Sequence, residues 1–333
     1  MKYFITGGAG FIGSNMVDAL INNHDVTVFD NLSSGKISFL QEHLDKKNFK
    51  FIKGDLSDLD HLKSIMGQQD IIIHFASNPD IAKGMYQTDL DLRQGTILTY
   101  NILEAARLNK VKKILYTSGS GVYGDVGTIA TAENFAPLLP ISMYGASKLA
   151  GEGLVSAFCH MFDIQGCIFR FANVVGKRQT HGVAFDFINK LKKNSEKLEI
   201  LGDGTQSKSY IHISDIINAM LFVSEHGKKL VDIFNVATCD YIDVASIARN
   251  VVKLMGLKQI RYSFSGGDRG WKGDVPKVRF DLSKIHNLGW KAKLTSEQAI
   301  KLSIQEMLEI SDADSNYSWG LGNSVATNIT SNF

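Results

Sequence analysis

At 333 residues the chain exceeds one typical domain of roughly 100 to 200 residues yet is short for three, so one large or two unequal domains are expected. Its 44% hydrophobic and 21% charged residues lie near the globular average, and no apolar run reaches the roughly 20 residues that span a bilayer. A net charge of +2, with Lys and Arg interspersed among acids, lacks the basic footprint of a nucleic-acid binder and points to a small-molecule partner.

From the N-terminus, Met1 runs straight into a strand-like segment at Tyr3 to Thr6, leaving no room for a signal peptide, so the cytoplasm is the expected location. Further short β-branched runs follow at Val26 to Asp30, Phe49 to Lys53, Ile71 to Phe75, Lys113 to Thr117, Gly166 to Arg170 and Ile233 to Val236. Between them lie amphipathic stretches at Ile12 to Ile21, Leu92 to Leu108, Tyr144 to Met161 and Ser214 to Ser224. Strands alternating with helices predict a doubly wound parallel sheet, with a smaller α/β layer interleaved after Arg170. That layer takes in predicted helices at Ala184 to Lys193, Tyr241 to Met255 and Leu294 to Leu308. The expected division is 1–173 with 214–239 as a nucleotide-binding domain, 174–213 with 240–311 as a substrate domain, and 312–333 as a loosely packed polar tail. Cys159, Cys167 and Cys239 lack CxxC spacing and are expected to be buried free thiols; no cluster has metal-ligand spacing.

The chemistry begins in the first turn. Gly7, Gly10 and Gly13 follow a predicted strand and open a predicted helix, the context in which such spacing binds a dinucleotide. Gly7 permits the tight turn, Gly10 lets backbone approach a pyrophosphate, and Gly13 lets helix and strand pack closely. The helix N-terminus then offers N–H groups to the phosphates. Asp30, ending the second strand, can accept from both adenosine ribose hydroxyls and repels a 2′-phosphate, which favours NAD over NADP. Asp55, after the third strand, is placed to meet the adenine edge or to serve as a turn aspartate.

Tyr144 and Lys148 are four residues apart, hence on one helix face one turn apart. A tyrosine of ordinary pKa about 10 is a poor base at neutral pH, but a neighbouring ammonium and a positive nicotinamide favour its phenolate.

TGGAGFIGS at Thr6 to Ser14, DNLSSG at Asp30 to Gly35, GSGVYGD at Gly119 to Asp125, YGASK at Tyr144 to Lys148, FANVVG at Phe171 to Gly176 and GDGTQ at Gly202 to Gln206 carry a further signal. With them the chain resembles the extended short-chain dehydrogenases/reductases of the NAD-dependent nucleotide-sugar epimerase/dehydratase family, over about residues 1 to 310. The resemblance implies a Rossmann fold, Tyr144 as base, and Lys148 also holding the nicotinamide ribose. It extends the cofactor site to Phe11, Ile12, Asn31, Ser34, Gly35, Leu56, Phe75, Ala76, Ser77 and Phe171, and it implies a homodimer formed through the helices near Leu92 to Leu108 and Tyr144 to Met161.

Two departures matter. Gly119 occupies the position where the family carries a catalytic Ser or Thr; Ser118 and Ser120 flank it, Ser118 being preferred, and loss of catalysis is the alternative. Where dehydratases and decarboxylases of the family carry acids, this chain has Ser120 and Gly121, neither of which is a general acid near neutral pH. The simplest surviving outcome is epimerisation, expected at C4 of a UDP-hexose. A dehydratase, a keto-sugar reductase and a silent NAD-binding regulator are the competing readings. For the substrate diphosphate the resemblance offers Asn173, Lys208, Arg269 and Lys272, with Trp271 standing where Arg is common, and Leu92 replaces an Asn beside Asp91. His74 is expected to be structural, with His181 and His212 less constrained.

Overall fold

The computed structural model describes residues 1–313. The expected polar tail lies outside the described residues except for Asp312 and Ala313, which end the last helix. Seven strands, β1 (Lys2–Thr6), β2 (Asp25–Asp30), β3 (Phe49–Lys53), β4 (Ile71–His74), β5 (Lys113–Gly119), β6 (Gln165–Phe171) and β7 (Val231–Val236), form one parallel sheet in the order β7-β6-β5-β4-β1-β2-β3. Each adjacent pair is parallel. Each predicted run became one of these strands, shifted by no more than two residues at either end.

The alternation of an extended chain sorts their side chains into two cores. Tyr3, Ile5, Ile71, Ile73, Leu115, Cys167 and Phe169 enter one, where α1 (Phe11–Leu20) contributes Met16, Val17 and Leu20 and α6 (Ile213–His226) contributes Ile216, Met220 and Val223. Phe4, Ile72, Ile114, Tyr116 and Ile168 enter the other, against α2 (Leu59–Met66), α3 (Leu98–Leu108) and α4 (Met143–Phe162). Because helices cover both faces, the strands read as nearly continuous apolar runs. This is a Rossmann-like α/β fold.

A third core lies apart from the sheet. It joins α5 (Val183–Lys193), α7 (Val244–Leu254) and α9 (Ser296–Ala313) through Phe187, Ile188, Leu191, Ile247, Val251, Ile300 and Ile304. Small strand pairs frame it: Lys197–Ile200 with Arg261–Phe264, and Ser207–Lys208 with Ile242–Asp243. A short α8 (Ser283–Leu288) returns to the main sheet, its Ile285 buried in the first core.

Three expectations shift. The helix expected from Leu92 begins as a π-helical turn, Leu92–Ile97, before α3. The helix expected from Tyr241 starts at Val244, because Ile242–Asp243 pair as strand and the Asp243 carboxylate caps the helix through Ser246 N at 2.7 Å. Cys159 and Cys167 are buried free thiols, but Cys239 is exposed. Among the described residues no helix is long and apolar enough to cross a membrane.

Candidate active site

A cleft of about 1020 Å³ runs along the carboxyl ends of the sheet strands and on toward the third core, from Gly10 past Tyr144 to Trp271. It opens beside the β1/β4 pair, where strand order reverses, the place at which open α/β sheets bind ligands. At the start of α1, Gly7 has φ +68°, and a Cβ there would approach Ala76 N to 2.7 Å. A Cβ on Gly13 would stand 2.2 Å from Gly7 O, so glycine alone lets α1 sit this close to the turn. Gly10 is the N-cap residue of α1, with no side-chain cap and no acid in the first turn, which leaves the positive helix end bare.

Asp30 is buried, and its carboxylate accepts from Ala9 N at 3.0 Å and Leu32 N at 2.8 Å. Burial raises its pKa while the two amides pull it back. Asp55 accepts from Asn31 Nδ2 at 2.8 Å and from Ser57 N at 2.8 Å, and these bonds lower its pKa. Of the cofactor residues named from sequence, all line the cleft except Gly35, which instead packs on Ala9, where a Cβ would come within 2.9 Å of backbone. His74 is structural: its ring nitrogens meet Thr6 Oγ1 at 2.6 Å and Thr99 Oγ1 at 3.2 Å, and burial drops its pKa to about 3.

Lys148 is buried and donates to Thr117 O at 2.9 Å, with its Nζ 5.5 Å from the Tyr144 ring centre and 5.3 Å from that of Tyr116. Burial lowers its pKa to about 8 against the pull of Asp91 and Glu152. Burial and Asp91 push the Tyr144 phenol up to about 12, opposed by the Ser77 hydroxyl that faces it. The expected lowering by Lys148 is therefore not met by the protein groups alone, because burial and the Asp91 carboxylate outweigh it. Ser77 Oγ is buried and lines the cleft beside the phenol.

The serines separate. Ser118 donates to Glu152 Oε1 at 2.6 Å, and Glu152 makes a buried ion pair with Arg170 at 2.7 Å. Arg170 also donates to Tyr123 Oη at 3.0 Å, and Tyr123 donates to Asn235 Oδ1 at 2.6 Å. Ser118 lines the cleft as well, but its hydroxyl is engaged by Glu152 under α4. Ser120 lines the cleft half-buried, with no hydrogen bond to its hydroxyl among the described residues. Gly119 is extended, at φ −161°, and the nearest atom to an added Cβ is Phe171 O at 3.8 Å, so the position has room for a side chain.

α4 itself is closely seated. A Cβ on Gly145 would meet Gly121 O at 2.5 Å and one on Gly151 would meet Tyr116 Oη at 2.1 Å. Its N-cap Ser142 accepts from Gly145 N at 3.1 Å.

At the far end, Asn173 and Lys208 line the cleft, the latter paired with Asp274 at 2.6 Å. Arg269 does not reach it, being held by Asp125 at 2.6 Å and by Asp274 O at 3.0 Å, and Lys272 is exposed outside the lining. Trp271 lines the cleft, pinned on Gly273, where a Cβ would come within 2.4 Å of the ring. The sequence reading missed Asn78, Gln94 and Gln206, all of which line the cleft. His181 lines it too, whereas His212 caps α6 and meets Glu306 at 3.2 Å.

Residues 3–237 match the family model described as the NAD dependent epimerase/dehydratase family. The chain belongs to that family. A UDP-glucose 4-epimerase of Thermotoga maritima, solved with UDP-glucose, is 30% identical, with a TM-score of 0.83 over 93% of this chain and 99% of that one. A UDP-glucuronic acid 4-epimerase of Bacillus cereus, solved with UDP-glucuronic acid and NAD, is 26% identical, with a TM-score of 0.84 over 93% and 100%. The human dTDP-D-glucose 4,6-dehydratase is 28% identical over 91% of this chain and 89% of its own length. Membership makes NAD the cofactor of this family protein. The residues fit it: the glycine cradle, the bare helix end, Asp30 and Ser77 lie along one cleft.

Proposed function

We propose that the protein is an NAD-dependent nucleotide-sugar epimerase that inverts C4 of a UDP-hexose through a transient 4-keto sugar. The observation that carries this is the segment facing α4: Gly119 to Gly121 presents one hydroxyl, Ser120, and no acid, beside a Tyr144–Lys148 pair in the wall of the cleft. The cleft-lining carboxylates are Asp30, Asp55, Asp186 and Asp274. Two flank the cofactor end and Asp274 is tied to Lys208.

NAD, when bound, would supply the hydride acceptor, the hydride donor on return, and a positive charge that favours the phenolate. Tyr144 takes the proton from the sugar 4-hydroxyl and later returns it. Lys148, held by Thr117 O, keeps positive charge beside the Tyr144 ring and would hold the nicotinamide ribose. Ser120 supplies the hydroxyl that the family draws from the position of Gly119. Asn173 and Lys208 hold the diphosphate. The apolar side chains exposed on the π turn, α3 and α4, namely Leu92, Ile97, Tyr100, Leu108, Met161 and Phe162, support a homodimer through those helices.

A dehydratase is the second reading, favoured by Asp186, a carboxyl in the cleft lining whose pKa is raised from the usual carboxylate value. Incubating the protein with UDP-, GDP- and dTDP-hexoses and following the sugar by NMR separates the two. The epimerase converts a UDP-hexose into its C4 epimer with no added nicotinamide consumed; a 4-keto-6-deoxy product, or product formed only in step with external NADH, would replace this reading. Tyr144→Phe should cut turnover by roughly 10² to 10⁴ while leaving NAD affinity within a few fold.

A further inference from the structure

Asp91 stands immediately before the π turn, and its side chain is 1% exposed. Oδ1 accepts from Asn78 Nδ2 at 3.0 Å, whereas Oδ2 is buried with no hydrogen-bond partner among the described residues. It lies where a Cβ on Gly84 would come within 2.9 Å of it. Asp91 is absent from the cleft lining, so any influence on the cleft passes through its neighbours. A half-satisfied buried carboxylate is costly, and such groups concentrate where their charge is used.

The same Cβ on Gly84 would stand 3.3 Å from Met143 Cβ, and one on Gly95 would stand 2.5 Å from Ser147 Oγ, so Asp91 and the turn after it lie against the stretch of α4 that carries Tyr144 and Lys148. The cation that acts on Asp91 is Lys148. That ammonium is 4% exposed and has a single hydrogen bond among the described residues, to Thr117 O; aromatic faces of Tyr116 and Tyr144 lie beside it. Two carboxylates act on it, Asp91 and Glu152. Glu152 is already paired with Arg170 through three hydrogen bonds and receives Ser118. Of the remaining neighbours, burial keeps His74 neutral and the Tyr116 phenol protonated. Asp91 is also the carboxylate that opposes ionisation of Tyr144, while Asp80 and Lys148 are the charges acting on Asp91 itself.

We propose that Asp91 is a positioning residue that holds Lys148 as an ammonium and Tyr144 as a phenol, and so places the pH range over which the pair works. The inference rests on the reading of Tyr144 and Lys148 as the reactive pair. The sign is the same for both partners. Removing the negative charge makes each protonated form less favourable, so both proton losses move to lower pH.

Asp91→Asn keeps the shape and the acceptor for Asn78 and removes the charge. Two measurements follow the variant against the native protein: kcat/KM for UDP-hexose interconversion against pH, and NAD affinity against pH by fluorescence titration. Both limbs of the rate profile should move down by about one pH unit. The pH above which NAD affinity weakens, set by Lys148 losing its proton, should move with them. Unshifted limbs and an unshifted affinity midpoint, with a uniform fall in kcat, would make Asp91 a packing residue and overturn the proposal.

The affinity measurement needs no turnover. A shifted midpoint in a protein that converts no hexose upholds the role of Asp91 and removes the epimerase reading. Should Asp91→Asn fail to fold, Asn78→Ala removes the hydrogen bond that favours the Asp91 carboxylate and should shift the NAD midpoint in the same direction by less; no shift there overturns the proposal equally.

Discussion

The two ends of the cleft are built by different means. The cofactor end is shaped by backbone: a φ +68° turn at Gly7, a helix end at Gly10, and a carboxylate at Asp30 fixed by two amides. At the other end the cation in the cleft wall, Lys208, is a side chain that already has a partner in Asp274, and nearby Arg269 is drawn off altogether by Asp125. A backbone cradle leaves its mark in sequence as glycine, because nothing else fits. A cation's allegiance leaves none, because several acids could claim it and the fold decides which does.

That contrast can be broken hardest at Gly13. A methyl group there meets Gly7 O at 2.2 Å, so α1 must move off the turn. Gly13→Ala should weaken NAD binding by about a hundredfold, some 2.7 kcal/mol, in calorimetric titration of the apo protein. Unchanged affinity would mean that the cradle does not depend on the close approach.

The substrate end gives a smaller and two-directional effect. Lys208→Ala should raise the KM for the nucleotide sugar about tenfold with kcat little changed, close to 1.4 kcal/mol of ground-state binding. Asp274→Asn releases the ammonium from its partner and should lower the KM. If both variants raise it, the ion pair orders the loop and Lys208 does not meet the diphosphate. Neither change should alter NAD affinity. The smallest effect is expected between the two ends, at Gly119. Its extended backbone and the 3.8 Å clearance to Phe171 O accept a side chain without strain. Gly119→Ser should raise kcat by a few fold by adding a second hydroxyl near the substrate; a loss would show that Ser120 needs the space.

Much of this was legible beforehand. The sheet strands could be read because helices on both faces make each strand a short apolar run, and the Tyr144–Lys148 spacing fixed a shared helix face. The serines could have been separated by the same alternation. Ser118 lies two residues beyond Tyr116 and therefore on the side of β5 that α4 covers, which is where it meets Glu152. Glu152 and Arg170 carried a signal too, each a lone charge within an otherwise largely apolar stretch. The π turn at Leu92 was not readable, since one extra residue in a helical turn barely disturbs the apolar period. The short α2 and the two-residue strands fall below what periodicity can resolve.

The seating of α4 has a consequence for how the protein can change. Gly145 rests against the Gly121 carbonyl, Gly151 against the Tyr116 hydroxyl, and Glu152 is tied to Arg170 of the sheet. Three fixed points locate a rigid rod, much as three feet locate an optical mount. Tyr144 therefore has little freedom to tilt or slide, and its aim is decided largely by residues buried beneath the cleft, Tyr116, Glu152 and Arg170 among them. Evolution toward a new sugar is thereby steered to the loops across the cleft, which can be rebuilt without disturbing the mount.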